Sequence, residues 1–480
     1  METTDTRQEL TLWIAAVVVA AIGTWVMYDA FPGLNWGIWT SVAAFGLLPF
    51  ARRSTSGTLV GLAATASIIA FGAAITAAEF LHFLIFLSVI VLLALEMLLS
   101  PNPRTNRITP TFAVPAPIVA FVTAISEAVR RGANALHLVR SERARSVVRG
   151  LVITLPIVII FALLLASADP IFAGWRDAIE EIIRNWEFLP RTVFFMGMLT
   201  IVLGAFGFAA REQSAPAIPS SAEPPGKWLG ATERLILLAS IAALFWIFLA
   251  VQLSYLFGNL PQVEGSGVTF AEYARRGFAE LSVIASASFL LILVSERYGQ
   301  TGRHAGALRI ATLAVVVAVL FLLGSAFNRV LLYEQAYGFT IPRLYAQAYM
   351  LVVAAALITL GWEMKGDLNP ARLFRRIGAI AILVFIVLIY WNHEAWIANR
   401  NIDRVATTGR LDTVYLTRDL SPNAVPTLVR RLPSIPEPFR SELQRALITR
   451  YQKRPRMFES QWFEWNYGRS AAVEALKTIM

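Results

Sequence analysis

Eleven runs of about twenty apolar residues constrain this chain more than any other feature it has. An α-helix rises about 1.5 Å per residue, so roughly 20 apolar residues cross a hydrocarbon core about 30 Å thick. Inside that core every backbone amide must find its partner within a helix or a closed barrel. The runs are continuous rather than alternating, which predicts helices. They cover 10–27, 34–50, 58–78, 80–99, 151–168, 192–210, 235–257, 277–294, 308–327, 344–362 and 377–396. The leader before the first run carries Glu2, Asp5 and Glu9 beside Arg7, and no small-x-small cleavage site follows. The first run therefore reads as a retained span rather than a signal peptide.

Composition agrees. Charged residues make up 15% of the chain and hydrophobic ones 56%, where a soluble globular protein carries about 25% charged residues. A soluble enzyme on a single anchor is excluded, and so is a disordered chain. Cys is 0, which removes disulfides, thiolate metal sites and a cysteine nucleophile. The expected fold is all-α: a polytopic membrane bundle of about eleven spans with a small C-terminal extramembrane helical domain.

Basic residues orient the bundle. With the N-terminus in the cytoplasm, the inner segments hold twenty-one of the 42 Lys and Arg and the outer loops hold seven. Cytoplasmic loops retain excess Lys and Arg, so this orientation is favoured. An odd number of spans then puts the C-terminus outside, in a bacterial cytoplasmic membrane.

The chain divides into a four-span region (1–99), a basic segment (100–150), two spans with an outer amphipathic helix (151–213), a Pro- and Ser-rich linker (214–230), a five-span core (231–397) and a helical tail (398–480). In the basic segment Ile118, Phe121, Val122, Ile125 and Val129 recur at helical spacing beside Arg130 and Arg131. Such a helix either lies on the anionic inner leaflet or packs against the bundle. In the tail, Phe439, Leu443, Leu447 and Tyr451 form one apolar stripe, and Trp462, Trp465, Val473 and Leu476 another. About eighty residues is near the lower limit for folding alone.

Polar residues near membrane depth gather at the outer ends of the last five spans. Thr269 and Glu272 have capping-box spacing. Glu272, Arg276 and Glu280 follow at i,i+4 steps on one helical face. Candidate partners are Gln252 and Tyr255, then Asn328, Arg329, Tyr333 and Glu334 before the helix-ending Gly338, then Arg343 and Tyr345. Asn392, His393, Glu394 and Asn399 are assigned to the end of the eleventh run. The cluster is either an outward-facing chamber for a solute, a lipid headgroup or a proton, or an interhelical network that fixes packing.

Other signals are weak. Glu79-x-x-His82 occurs once, short of a metal ligand set. Neither a Gly-x-x-x-x-Gly-Lys-Ser/Thr loop nor a Gly-x-Ser-x-Gly elbow is present, and no cofactor is implied. The basic tail is expected outside the cell, so its electrostatic partner is an envelope protein, an anionic lipid or a polymer rather than nucleic acid.

Gln252-Leu-Ser-Tyr255, the run Thr269 to Leu281, Asn328-Arg329 with Tyr333, Tyr337-Gly338, Arg343-Leu344-Tyr345, Asn401-Ile402-Asp403-Arg404, Asp412 to Leu416 and Leu420 to Pro426 together resemble a bacterial membrane family, the domain of unknown function numbered four-one-seven-three. The resemblance implies a multi-pass membrane protein with no established activity. Two functions remain open: a non-enzymatic envelope anchor, scaffold or signalling protein, or a transporter or flippase working through the polar cluster.

Overall fold

The computed structural model describes residues 2–51, 56–135, 154, 158, 188–211, 227–257, 278–300, 302–364, 366, 368–452 and 461–480. Among these the chain is helical, with one isolated bridge between Leu229 and Gly299. Nine of the described helices are long and apolar enough to cross a membrane, so this is a multi-pass membrane protein. The described chain falls into two compact units, 1–105 with 111–218 and 459–470, and 106–110 with 219–458 and 471–480.

The first unit contains α1 (Glu2–Met27), α2 (Leu34–Leu47), α3 (Gly57–Ile75), α4 (Glu79–Leu99), α5 (Ala116–Ala135) and α6 (Phe188–Ala209). The run expected over 34–50 forms α2 and one 3-10 turn, Leu48–Phe50. Helix and turn together reach about 27 Å, close to the thickness of the hydrocarbon core. The run expected over 151–168 and the amphipathic helix after it lie outside the described residues. Small residues let these helices approach closely: Ala63, Ala66, Ala70 and Ala73 of α3 are buried, and a Cβ on Gly37 would stand 2.2 Å from the Phe71 ring.

Helix α5 packs on the bundle by a face that its apolar stripe does not mark. Its apolar stripe, Ile118, Phe121 and Val122, is exposed, while Ala116, Ala120, Ala124 and Ala128 are buried. The helix packs by its small-residue face. A Cβ on Gly204 of α6 would lie 1.9 Å from the Ala124 carbonyl oxygen, so only glycine permits this approach. At the end of the contact the buried Glu127 carboxylate meets Arg130 at 2.5 Å, Arg211 at 2.7 Å and Arg131 at 2.9 Å. Arg131 also reaches Glu9 and the Gly207 carbonyl. Burial pushes the Glu127 carboxyl up, but the three guanidinium groups outweigh it and hold it below the usual carboxylate range.

Residues 461–470 close the opposite end of α1. Glu464 accepts the Phe31 N–H at 2.8 Å, and Leu34 donates to the Trp465 carbonyl at 3.1 Å. Asn466 donates to the carbonyls of Ala73 and Thr76, each at 2.7 Å. Trp462 and Trp465 are exposed, at 59% and 41%. They do not share a helical stripe with Val473 and Leu476, because Trp462–Glu464 is a capped 3-10 turn and the helix begins only at Tyr467.

The second unit holds α7 (Ala231–Phe257), α8 (Phe278–Tyr298), α9 (Ala305–Tyr337), α10 (Ile341–Glu363) and α11 (Pro370–Tyr390). Helix α9 is its axis. Ala311, Val315, Ala318, Val319, Leu322, Ala326 and Val330 recur every three or four residues and form the core with α7, α8 and α10. Its 33 residues make a rod of about 50 Å, against a hydrocarbon core of roughly 30 Å. The apolar run ends at Phe327, so Asn328 to Tyr337 emerge from it. At the other end of α10, Glu363 pairs with Arg372 and Arg376, each at 2.5 Å.

The last run also differs from expectation. Helix α11 stops at Tyr390, and Asn392 caps a new helix, α12 (His393–Thr408), by accepting the Ala395 N–H at 3.0 Å. Trp391 and Trp396 made the run look continuous to 396. The extramembrane domain therefore starts at about 393 and continues through α13 (Thr413–Arg418), α14 (Val425–Arg431) and α15 (Phe439–Gln452).

Candidate functional site

The emerging end of α9 is where the extramembrane helices assemble. A turn of three residues, 338–340, joins α9 to α10. Gly338 ends α9 with φ +93°, its N–H donating to the Glu334 carbonyl at 2.8 Å. A Cβ there would lie 2.7 Å from Asn401 Oδ1 and 2.8 Å from Arg404 Nη1. The backbone angle requires glycine, and any side chain there would also have to displace Asn401 and Arg404.

Helix α12 grips this turn. Asn401 accepts the Phe339 N–H and donates to the Phe339 carbonyl, both at 2.8 Å. Arg404 donates to the carbonyls of Gln335 at 3.2 Å and Ala336 at 2.9 Å. Arg343 donates to the Gly338 carbonyl and lies 4.2 Å over the Tyr333 ring. The last carbonyls of a helix lack intrahelical partners and carry partial negative charge, so two guanidinium groups suit this position. The Tyr415 hydroxyl of α13 accepts the Ile341 N–H at 2.8 Å, and Asp412 caps that helix by accepting the Tyr415 N–H at 2.8 Å.

Burial sets the protonation of the surrounding groups. It pushes the Glu394 carboxyl up against two hydrogen bonds from Ser421, at 2.7 and 2.5 Å. It draws His393 below the ordinary imidazole range, and the hydrogen bonds to the Trp391 and Leu388 carbonyls oppose it only in part. The Tyr415 phenol is pushed up to about 12, first by burial. Burial, then the nearby Arg343 charge, lowers Arg404 from its ordinary value.

Apolar packing joins the same parts. Leu344 of α10 is buried in one cluster with Ile397, Ile402, Leu416, Leu428, Leu443, Leu447 and Tyr451, and Phe339 and Ile341 pack on it. The stripe Leu443, Leu447 and Tyr451 is the one the sequence predicts. Two cavities flank Arg404. One of about 740 Å³ is lined by Glu334, Gln347, Trp391, Trp396 and Arg400. The other, of about 580 Å³, is lined by Arg343, Thr340, Arg410 and Tyr415.

Of the expected cluster, the structure brings Arg343 over Tyr333, and sets Glu334 against Gln347 and Tyr345 against His393. Buried Glu334 accepts from Gln347 at 2.8 Å, and the Tyr345 hydroxyl lies 3.2 Å from His393 Nε2. Asn328 is exposed and Arg329 half-buried on α9. Glu280 is exposed in the first turn of α8. Gln252 is buried in α7, its amide nitrogen without a hydrogen-bond partner among the described residues. Thr269, Glu272 and Arg276 lie outside the described residues, as does the side chain of Tyr255. Asn392, His393, Glu394 and Asn399 belong to α12 and its cap, not to a span. The sequence reading missed Phe339, Asn401, Arg404 and Tyr415 as site residues. His82 Nε2 lies 2.8 Å from the Thr76 carbonyl oxygen. Among the described residues no three His, Asp or Glu converge as a metal site requires.

A model of the domain of unknown function DUF4153 matches residues 60–431. The chain belongs to this family. The DUF4153 match overturns the resemblance to the family numbered four-one-seven-three. It takes in spans from α3 onward and ends within the extramembrane domain, so Gly338, Arg343, Asn401, Arg404 and Tyr415 all fall inside it. No curated protein and no solved structure matches the chain.

Proposed function

We propose that this DUF4153 protein is a non-enzymatic envelope scaffold or anchor, with the extramembrane helices meeting the partner and the bundle holding them at the membrane. The observation that carries this reading is the shared core: Leu344, Phe339 and Ile341 of the α9–α10 turn pack into the same cluster as Leu416, Leu428, Leu443 and Tyr451. Asn401, Arg404 and Tyr415 each hold backbone groups of that turn, fixing the domain to it. A domain built this way is a rigid platform. Its partner is an envelope protein, an anionic lipid or a polymer, in keeping with the basic residues of the tail. The Lys and Arg count favours a cytoplasmic N-terminus. Residues 461–470 meet the far end of α1, which supports an extracytoplasmic location for them.

One observation favours transport instead. Glu334 Oε1 is buried and has no hydrogen-bond partner among the described residues, and Glu334 lines the larger cavity. An unsatisfied buried carboxylate oxygen is costly, and one beside a cavity is a candidate ion or substrate site.

Complementation of a deletion strain separates the two. A chain lacking 393–480 should insert but fail to restore the wild-type phenotype, while Glu334→Gln should restore it. Full rescue by the truncated chain, with failure of Glu334→Gln, would instead establish transport. Membrane insertion of both variants is checked by fractionation.

A further inference from the structure

The smaller cavity beside the α9–α10 turn holds an excess of positive charge. Arg343, Arg404 and Arg410 line it, and Asp412 is the acidic side chain among its described lining residues. Among the described residues none of the three arginines has a carboxylate within ion-pair distance. Arginine stays protonated in proteins. The carboxyl end of α9 offsets roughly half an elementary charge, and Asp412 offsets one more. About one and a half positive charges remain, in a recess where two of the guanidinium groups are half-buried.

Hydrogen-bond donors point the same way. Arg404 uses Nε and Nη2 on carbonyls, and Arg343 uses Nη1. A guanidinium has five N–H donors, so each retains more. The Tyr415 oxygen accepts the Ile341 N–H, which leaves its own hydrogen to donate. Thr340 adds a hydroxyl, and exposed Arg410 stands at the cavity wall. Guanidinium groups match the oxygens of a phosphate in charge and geometry. The depth suits a headgroup as well: Tyr337, where α9 ends, is 56% exposed and lines the same cavity, and tyrosines favour the membrane–water interface.

We infer that this cavity binds a phosphate group, with Arg343, Arg404 and Arg410 meeting its oxygens and the Tyr415 hydroxyl donating to it. The group is carried by an anionic phospholipid headgroup or arrives as a soluble phosphate. The site goes beyond the scaffold reading and does not depend on it.

The test uses the full chain in nanodiscs. In discs of phosphatidylcholine alone, inorganic phosphate is titrated and thermal stabilisation followed. In a second arm the phosphatidylglycerol content is raised without added phosphate. Saturable stabilisation in the first arm identifies a soluble phosphate ligand, and saturation only in the second identifies the lipid. In either case Arg404→Gln and Arg410→Gln should each weaken binding about tenfold, the loss of one charge-assisted hydrogen bond. Arg430→Gln, an exposed arginine elsewhere on the domain, should leave binding unchanged. Because Arg410 is exposed, its variant keeps the fold even if Arg404→Gln does not. Absence of saturable stabilisation in both arms, or wild-type affinity in Arg410→Gln, would overturn the inference.

Discussion

The side chain of Asn401 pairs with the backbone of Phe339 as one strand pairs with another, accepting its N–H and donating to its carbonyl at 2.8 Å each. This single carboxamide satisfies both polar groups of a residue in a turn too short to satisfy them itself. Asn401→Ala should leave both without a partner, at a cost of about 1–3 kcal/mol each. Asn401→Asp can accept but not donate and should cost less. Thermal unfolding in detergent, with proteolytic release of the extramembrane helices as a local readout, checks the order.

Two glycines of α6 make an internally controlled pair. A Cβ at Gly204 would collide with the Ala124 carbonyl, while one at Gly197 meets nothing within 4 Å. Gly197→Ala should be neutral or stabilise by up to about 1 kcal/mol through helix propensity. Gly204→Ala should destabilise by roughly 1–3 kcal/mol as α5 is forced off α6. Opposite shifts in melting temperature would bear this out; equal shifts would count against the packing of α5.

The Glu127 cluster predicts an acid-sensitive first unit. The folded carboxyl lies below its unfolded value, so its contribution is present above the unfolded value of about 4.3 and is lost as pH falls through the folded one. Glu127→Gln should flatten that part of the stability–pH curve. It should also lower stability at neutral pH by about 3 kcal/mol, since Arg131 is left buried beside Arg130 and Arg211.

The chain has no cysteine, so single thiols report topology directly. Thiols introduced as Arg7→Cys and Trp462→Cys, both at exposed positions, should react with an impermeant reagent from opposite sides of the membrane. Labelling of both from the same side would contradict α1 as a span whose far end meets residues 461–470.

What the sequence reveals follows from the range of each interaction. The spans are legible because hydropathy is a local average over about twenty residues. That average also misplaced the end of α11, because Trp391 and Trp396 score as apolar while Asn392, a helix cap, interrupts the segment. Gly338 is legible as a helix end from its type and place. Asn401 is not, because its role is defined by Phe339, 62 positions away. The Glu272–Arg276–Glu280 ladder rests on spacing alone, and Glu272 and Arg276 lie outside the described residues. The family was misassigned from short runs of Tyr, Arg and Gly at helix ends, residues that recur wherever spans meet water; the match over 60–431 rests on far more chain.

Because the C-terminal helices pack around Leu344 and the turn before it, they lack a complete interior until α9 and α10 are in place. They are also synthesised after that hairpin. Insertion of that hairpin thus provides the template on which the domain matures, and a chain with a misrouted hairpin would display unfolded, Arg-rich polypeptide to quality-control proteases. Maturation of the helices from α12 onward becomes a readout of correct biogenesis upstream.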